Sequence, residues 1–303
     1  MGAHVAIPSE QVRVSVPASV ANLGAGFDCL AAAIGVRAEI TLARASTPEV
    51  AVTGVRVPQD ASNLIYRSAA AVARTVGYPD AFELRAYFPI PLRGGLGSSA
   101  AAIVGGAVAA ARLLEAPLGT QALLDLAVAL EGHPDNVAAA LLGGLVVIAR
   151  NGEALRWSRI VPSLPLAVVL AVPALEIETA AARRVLPERV TLQDAVFNLG
   201  HAALLVAALA QGRPDLLRGA LCDRLHQPYR APLVPGFASV VEAAARAGAY
   251  GAALSGSGPT VAALTPPEAA QTVGEAMRRA FAQVGVSSRV IVTAIESRGA
   301  LDS

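Results

Sequence analysis

Three glycine-bearing stretches hold most of the side chains able to do chemistry. Pro17–Leu30, PASVANLGAGFDCL, sets an amide (Asn22) and a carboxylate (Asp28) on either side of a Gly-x-Gly turn. Small residues there let the backbone come close to a bound molecule. Pro91–Ile103, PLRGGLGSSAAAI, runs from an arginine through glycines into two adjacent serines and then alanines. Backbone N–H groups in such a loop can close on a phosphate. Serine hydroxyls at a helix start can cap the helix, meet the phosphate or ligate Mg²⁺. Leu254–Thr260, LSGSGPT, is a third glycine loop, set between two strands.

The string Gly95–Ala100, GLGSSA, also satisfies G-x-G-x-x-G/A, and Glu115 lies not far from where a ribose-binding acid would fall. A nicotinamide or flavin site therefore competes for this stretch, as does a plain strand-to-helix turn. Three features favour a nucleoside triphosphate. The serines are paired at the helix start. The loop follows three or four strands, whereas a dinucleotide fingerprint usually opens its domain. The other two glycine loops have no place in a dinucleotide fold.

The elements that position these loops follow from pattern. Gln11–Val16, Arg37–Leu42, Glu49–Val57 and Phe82–Phe88 read as strands, and Asn63–Val76 as a helix. Ser98 or Ser99 is a candidate N-cap for a helix reaching Leu114, and a second helix spans Thr120–Glu131. Gly132–Asn136 reads as a turn before a small-residue segment and a strand at Gly144–Ala149. Composition shifts at Arg150–Ser163, which sets an expected boundary between domains at 1–155 and 156–303. Beyond it come strands at Leu166–Val172 and Ser288–Ala294. Helices are expected at Thr179–Val185, Leu192–Leu209, Pro214–Leu225, Phe237–Ala247 and Pro267–Val284.

Composition narrows the function classes. The chain has 303 residues, 54% of them hydrophobic, and its mean hydropathy is +0.53. The apolar runs Ala100–Ala111 and Val137–Ala149 fall short of the roughly 18 residues that suggest a membrane span, so no membrane partner is expected. The N-terminal MGAHVAIPSEQ has neither a basic nor an apolar leader region. Net charge is +1 with no basic block, which gives no reason for a nucleic-acid partner. Two distant cysteines, Cys29 and Cys222, suggest a reducing, cytoplasmic setting. All 24 basic residues are arginine. Without lysine, a Walker P-loop, a protein-kinase catalytic lysine and a pyridoxal Schiff base are excluded. His4, His201 and His226 have no ligand spacing.

PASVANLGAGFDCLAAAI, PLRGGLGSSAAAIVGGAV and GAALSGSGPTVAAL, in this order, resemble the three motifs of the GHMP kinases over nearly the whole chain. EGHPDNVA (Glu131–Ala138), ETAAARRVLP (Glu178–Pro187) and DRLHQPYR (Asp223–Arg230) resemble the members that phosphorylate homoserine. The resemblance implies an α+β, two-domain fold. Its N-terminal nucleotide-binding domain would carry a β/α phosphate loop, and its C-terminal domain would be an α/β sandwich. It also implies transfer of the ATP γ-phosphoryl to the hydroxyl of L-homoserine with Mg²⁺, in threonine biosynthesis, by a homodimer.

Residue by residue, the resemblance puts the phosphates on Pro91, Leu92, Arg93, Gly94, Gly95, Leu96, Gly97, Ser98, Ser99 and Ala100. Mg²⁺ would take oxygens from Glu131 and a loop serine, Ser99 ahead of Ser98. Asn63, in SNLIYRSA, matches the adenine segment, although asparagine serves equally well as a helix N-cap. Asn22, Asp28, His133, Asn136, Thr179, Arg183 and Arg230 would hold the acceptor, a zwitterion with a hydroxyl. Asp28 suits its ammonium, and the two arginine forks suit its carboxylate. Asn136 cannot take a proton, so it is expected to orient the acceptor while the hydroxyl loses its proton late to a phosphate oxygen. His133 is the rival base. Asp135 is expected to cap the turn, and Thr179 either to touch substrate or to cap its helix. The expected catalytic group is thus Asn136, Asp28, Glu131 and Ser99.

Overall fold

A computed structural model describes residues 11–152 and 154–303; His4 and the expectation made for the first ten residues lie outside them. The chain begins with β1 (Gln11–Ala21), β2 (Leu30–Arg44), β3 (Glu49–Thr53), α1 (Leu64–Thr75) and β4 (Phe82–Tyr87). It continues with α2 (Ser98–Leu113), α3 (Thr120–Glu131), α4 (Pro134–Leu142), β5 (Leu145–Asn151) and β6 (Ala154–Ile160). The second half holds β7 (Ala167–Pro173), α5 (Thr179–Arg184), α6 (Leu192–Gln211), α7 (Pro214–Leu217) and α8 (Gln227–Arg230). It closes with α9 (Phe237–Arg246), β8 (Gly251–Leu254), β9 (Val261–Thr265), α10 (Ala270–Gln283) and β10 (Ser288–Ala294).

The expected α+β architecture is present as two sheets. In the first, β3-β4-β2-β5-β6 lie side by side and β1 pairs along the length of β2. Only β3–β4 is parallel, and α1 connects that pair. In the second, β10-β7-β9-β8 are antiparallel neighbours. One apolar core runs from β1 and β2 through α2 to β7, β9 and α6. A second cluster fills the space between the other face of the C-terminal sheet and α9 and α10.

α2 lies in the middle of the first half and is buried almost all round, which is why its sequence is alanine, valine and glycine with no polar face. It packs on β1, β2, α1, α3 and α4. Gly106 permits the close approach of α1, because a Cβ there would collide with the Ile65 carbonyl and the Ser68 hydroxyl.

Five details differ from expectation. Pro17–Ala21 is strand, because the register shifts between Pro17 and Ala18 and lets β1 keep pairing with β2 past the proline. Neither Ser98 nor Ser99 caps α2; Gly97, in the left-handed region, does, with no side-chain bond. Pro134–Leu142 is a helix, started by Pro134 at its first turn. Pro214–Leu225 contains only one helical turn, Pro214–Leu217. The stretch Arg150–Ser163 holds the end of β5 and all of β6, so residue 155 falls inside β6; we propose placing the division after Ile160.

Gly106→Ala should lower the unfolding free energy by about 1–3 kcal/mol, the usual cost of overpacking. Thermal denaturation checks this against Gly119→Ala, where the backbone is extended and a Cβ would meet nothing.

Candidate active site

Asn22 opens the turn after β1 and Asp28 precedes β2, both with backbones in the left-handed region, as are Leu23 between them and Arg93 in the serine-bearing loop. Four of the five non-glycine residues with positive φ among the described residues therefore sit in two glycine loops. Such strain persists only where surrounding contacts over-determine it. Here the contacts are explicit. Asn22 Nδ2 donates to Gly256 O at 3.0 Å, and Asn22 Oδ1 accepts from Asp28 N at 3.1 Å. Gly256 N donates to Ala21 O at 3.0 Å, and the Ser255 hydroxyl donates to Gly95 O. The third glycine loop thus ties the first two together.

Around this junction is a cavity of about 330 Å³ lined by Asn22, Asp28, Arg93, Gly95–Ser99, Glu131, His133, Asp135, Asn136, Thr179, Arg183, Arg230 and Ser257, among others. Beside it lies a second cavity of about 300 Å³, mostly apolar, lined by Val52, Val55, Val57, Asn63, Ile65, Phe88, Leu92 and Ala102. Arg93, Ser98 and Ser99 belong to both walls. The N-terminus of α2 is therefore the partition between an apolar slot and a charged chamber. Its first turn carries no acidic residue of its own, so its positive end faces both cavities.

At this partition Ser99 Oγ donates to Glu131 Oε1 at 2.5 Å. Burial pushes the Glu131 carboxyl up, the Ser99 bond opposes that rise, and the nearby Asp135 charge adds to it. Two hard oxygens side by side suit a divalent cation that keeps waters and phosphate oxygens as its other ligands. Among the described residues no cluster of three or more His, Cys, Asp and Glu could hold a metal alone.

On the opposite wall, Arg183 Nη2 makes a two-oxygen bond to Asp28 at 2.8 and 3.0 Å. Its Nε is buried with no partner. Arg230 is 3% exposed and is held by Nε to Ala182 O at 3.1 Å and by Nη1 to Gly256 O at 3.1 Å. Both guanidinium groups lie over the Phe27 ring, at 5.5 and 5.2 Å. Behind them, His226 is buried and its Nε2 donates to the Gly24 carbonyl at 2.8 Å. Asp223 accepts from the backbone N–H groups of Leu225, His226 and Gln227, which fixes the start of α8.

His133 precedes α4. Burial lowers its pKa and the Arg183 charge lowers it further, so the imidazole is neutral at pH 7 and above. Asp135, in the first turn of α4, is buried and accepts from Asn136 N at 2.7 Å. Burial raises its carboxyl to about 6.

The expected residues divide as follows. Asn22, Asp28, Glu131, His133, Asn136, Thr179, Arg183 and Arg230 share the charged chamber, with the loop from Gly95 to Ser99. Arg184 is not on that wall. Thr179 is not the cap of its helix, since Glu178 precedes it in that position. Asn63 caps α1, with Oδ1 accepting from Ile65 N at 3.0 Å, and Nδ2 donates to Pro58 O at 2.7 Å, so it walls the apolar slot with its polar atoms already used. Leu92 faces the slot, but Pro91 and Gly94 face outward to a separate groove, and Ala100 is buried in the core. The expectation that Asp28 and Arg183 face opposite ends of a ligand did not foresee that they pair with each other. Phe27 and Asp135 line or support the chamber without having been given a role in it. An aromatic set between a glycine and an aspartate, Gly26-Phe27-Asp28, was the available signal for the first.

Because the folded pKa of Asp135 is above its usual 3.8, the native state binds the extra proton between those values. Its cost to stability is absent below pH 3.8, grows through this window and is complete above about pH 6, at about 3 kcal/mol. Asp135→Asn keeps an acceptor for Asn136 N. It should raise the melting temperature relative to the parent at pH 8, with the difference fading toward pH 4.5.

Comparison with known proteins agrees with this geometry. The model of the GHMP kinase N-terminal domain matches residues 63–144, and that of the GHMP kinase C-terminal domain matches residues 205–283. Homoserine kinase of Moorella thermoacetica is 46% identical over 292 residues, covering 95% of this chain and 98% of its own. That of Trichormus variabilis is 42% identical over 299 residues, covering 95% and 98%. The crystal structure of homoserine kinase from Cytophaga hutchinsonii superposes with a TM-score of 0.87 at 34% identity, over 96% of each chain. The fold extends to mevalonate kinase of L. major, with a TM-score of 0.72 at 17% identity over 97% and 99% of the chains. With relatives this similar over nearly its whole length, the chain belongs to the homoserine kinases of the GHMP kinase family.

Proposed function

We propose that the chain transfers the γ-phosphoryl group of ATP to the side-chain hydroxyl of L-homoserine, giving O-phospho-L-homoserine. The observation that carries this is the meeting of an apolar slot and a charged chamber at the N-terminus of α2. The adenine lies in the slot. The phosphates lie on the Gly95–Ser99 backbone and the positive end of the helix. Glu131 and Ser99 hold Mg²⁺, which when bound neutralises phosphate charge.

Homoserine is held by its two charges. The buried, unpartnered Arg183 Nε and the Arg230 fork receive its carboxylate. A carboxylate has about four lone-pair sites, so Asp28 accepts from the ammonium while still paired with Arg183. Asn136 and the neutral His133 face the hydroxyl. Phosphoryl transfer needs positioning and charge neutralisation more than a strong base, which fits an amide at this point and a late loss of the proton to phosphate.

A second copy of the chain is the partner we propose. α6 is the one described helix long and apolar enough to cross a membrane by composition, and it was not singled out in the sequence because Asn198, His201 and Gln211 interrupt it. Its outward face carries Leu192, Val196 and Leu199, 80%, 58% and 71% exposed, followed by Gly200, Ala203 and Ala207. Antiparallel pairing about a two-fold axis near Gly200 would set the bulky half of one helix on the small half of the other. The stretch 195–212 has no Asp, Glu, Arg or Lys.

Turnover of Mg-ATP should be confined to L-homoserine in a panel with D-homoserine, L-serine, L-threonine, mevalonate and galactose; turnover of mevalonate or galactose alone overturns the acceptor assignment. Arg183→Ala or Arg230→Ala should lower kcat/KM for homoserine by about 30- to 1000-fold, or about 2–4 kcal/mol, with ATP affinity unchanged. His133→Ala should lose less turnover than Asn136→Ala; the reverse order makes His133 the base. Light scattering should find a dimer that Leu199→Glu converts to a monomer, and a monomeric parent removes the pairing.

A further inference from the structure

Ser19 is fully buried in β1 and belongs to no wall of either cavity. Its hydroxyl nevertheless donates to Asn136 Oδ1 at 2.8 Å. We propose that Ser19 is a positioning residue that fixes the Asn136 amide with its nitrogen toward the acceptor, an assignment that rests on the kinase function above.

The contacts leave one orientation. With Oδ1 turned to Ser19, Asn136 Nδ2 lies 3.4 Å from Asp135 Oδ1 and borders the chamber. Turned over, the amide oxygen would face the Asp135 carboxylate, acceptor against acceptor. The 3.4 Å separation is too long for a strong bond, so Ser19 supplies the anchor and Nδ2 keeps hydrogen-bonding capacity for a ligand. An N–H aimed at the acceptor hydroxyl oxygen leaves that hydroxyl's own proton free to point at the phosphoryl group. The opposite orientation would hold that proton back.

Ser19 also reaches the donor side. Its backbone N donates to Leu96 O at 3.2 Å, in the phosphate loop. A Cβ at Gly97 would occupy the place of the Ser19 hydroxyl and press on Asn136 Oδ1. That position must therefore be glycine both for its left-handed backbone, φ 65°, and for this hydroxyl. One small residue so spaces the acceptor amide from the loop that holds the phosphate.

The test is a double-mutant cycle on turnover. Ser19→Ala should lower kcat roughly 10- to 30-fold, the scale of one hydrogen bond that orients a reacting group, with KM for ATP within about twofold. Added to Asn136→Ala, the same change should alter kcat by less than about twofold, since its effect passes through the amide. Equal losses in both backgrounds, or a rise in KM for ATP that accounts for the loss, would overturn the assignment. If Ser19→Ala does not fold, Ser19→Thr and Ser19→Val serve as an equal-shape pair; Thr should exceed Val by the same ratio, and equal activities sink the assignment. The parent's turnover of homoserine is measured first. A parent active only on another acceptor corrects the substrate and the cycle is run on that one, whereas a parent that phosphorylates no acceptor ends both proposals.

Discussion

The carbonyl of Gly256 is the point on which the site depends. It accepts from Asn22 Nδ2 and from Arg230 Nη1, while the amide of the same residue donates to Ala21 O. Three segments far apart in sequence are held there within one hydrogen-bond length of each other. The left-handed backbones of Asn22 and Asp28 and the buried guanidinium of Arg230 all need those bonds. Without the carbonyl, a charged group buried in protein would lack one of its acceptors, which is costly.

Most of the charged groups around the chamber have a partner, and one buried carboxylate does not. Arg93 is drawn toward Glu176 and Glu178, Arg183 toward Asp28, and Arg230 toward carbonyls and the Phe27 face. Asp135 has no cation against it, and burial drives its carboxyl up accordingly. Arginine suits every one of these cationic positions, because its planar fork can satisfy two partners at once where an ammonium would act as a single point.

Much of this was legible in the sequence because glycine loops and charged strings are local patterns. The three loops meet, and Arg183, Arg230 and the Ser99–Glu131 pair line one chamber. What stayed hidden is non-local. No spacing reveals that Asp28 and Arg183, 155 positions apart, pair with each other. Pro134 and Asp135 read as turn formers, yet proline and aspartate equally open helices, and packing of Val137–Leu142 on β1 and β2 decides for α4. β6 fell inside the stretch read as a domain boundary because it is polar and exposed, and pairing with β5 rather than composition makes it sheet.

The Asp28–Arg183 pair has a consequence for how the protein waits between turnovers. A pocket that recognises both ends of a zwitterion would keep opposite charges near each other, and in this chain Asp28 and Arg183 neutralise one another. Each is the other's counter-ion. A zwitterion that enters brings no net charge, displaces little of the existing pairing and releases few ions to solvent. The arrival of the acceptor should therefore be nearly indifferent to ionic strength, while the arrival of the polyanionic nucleotide on the other side of α2 is not.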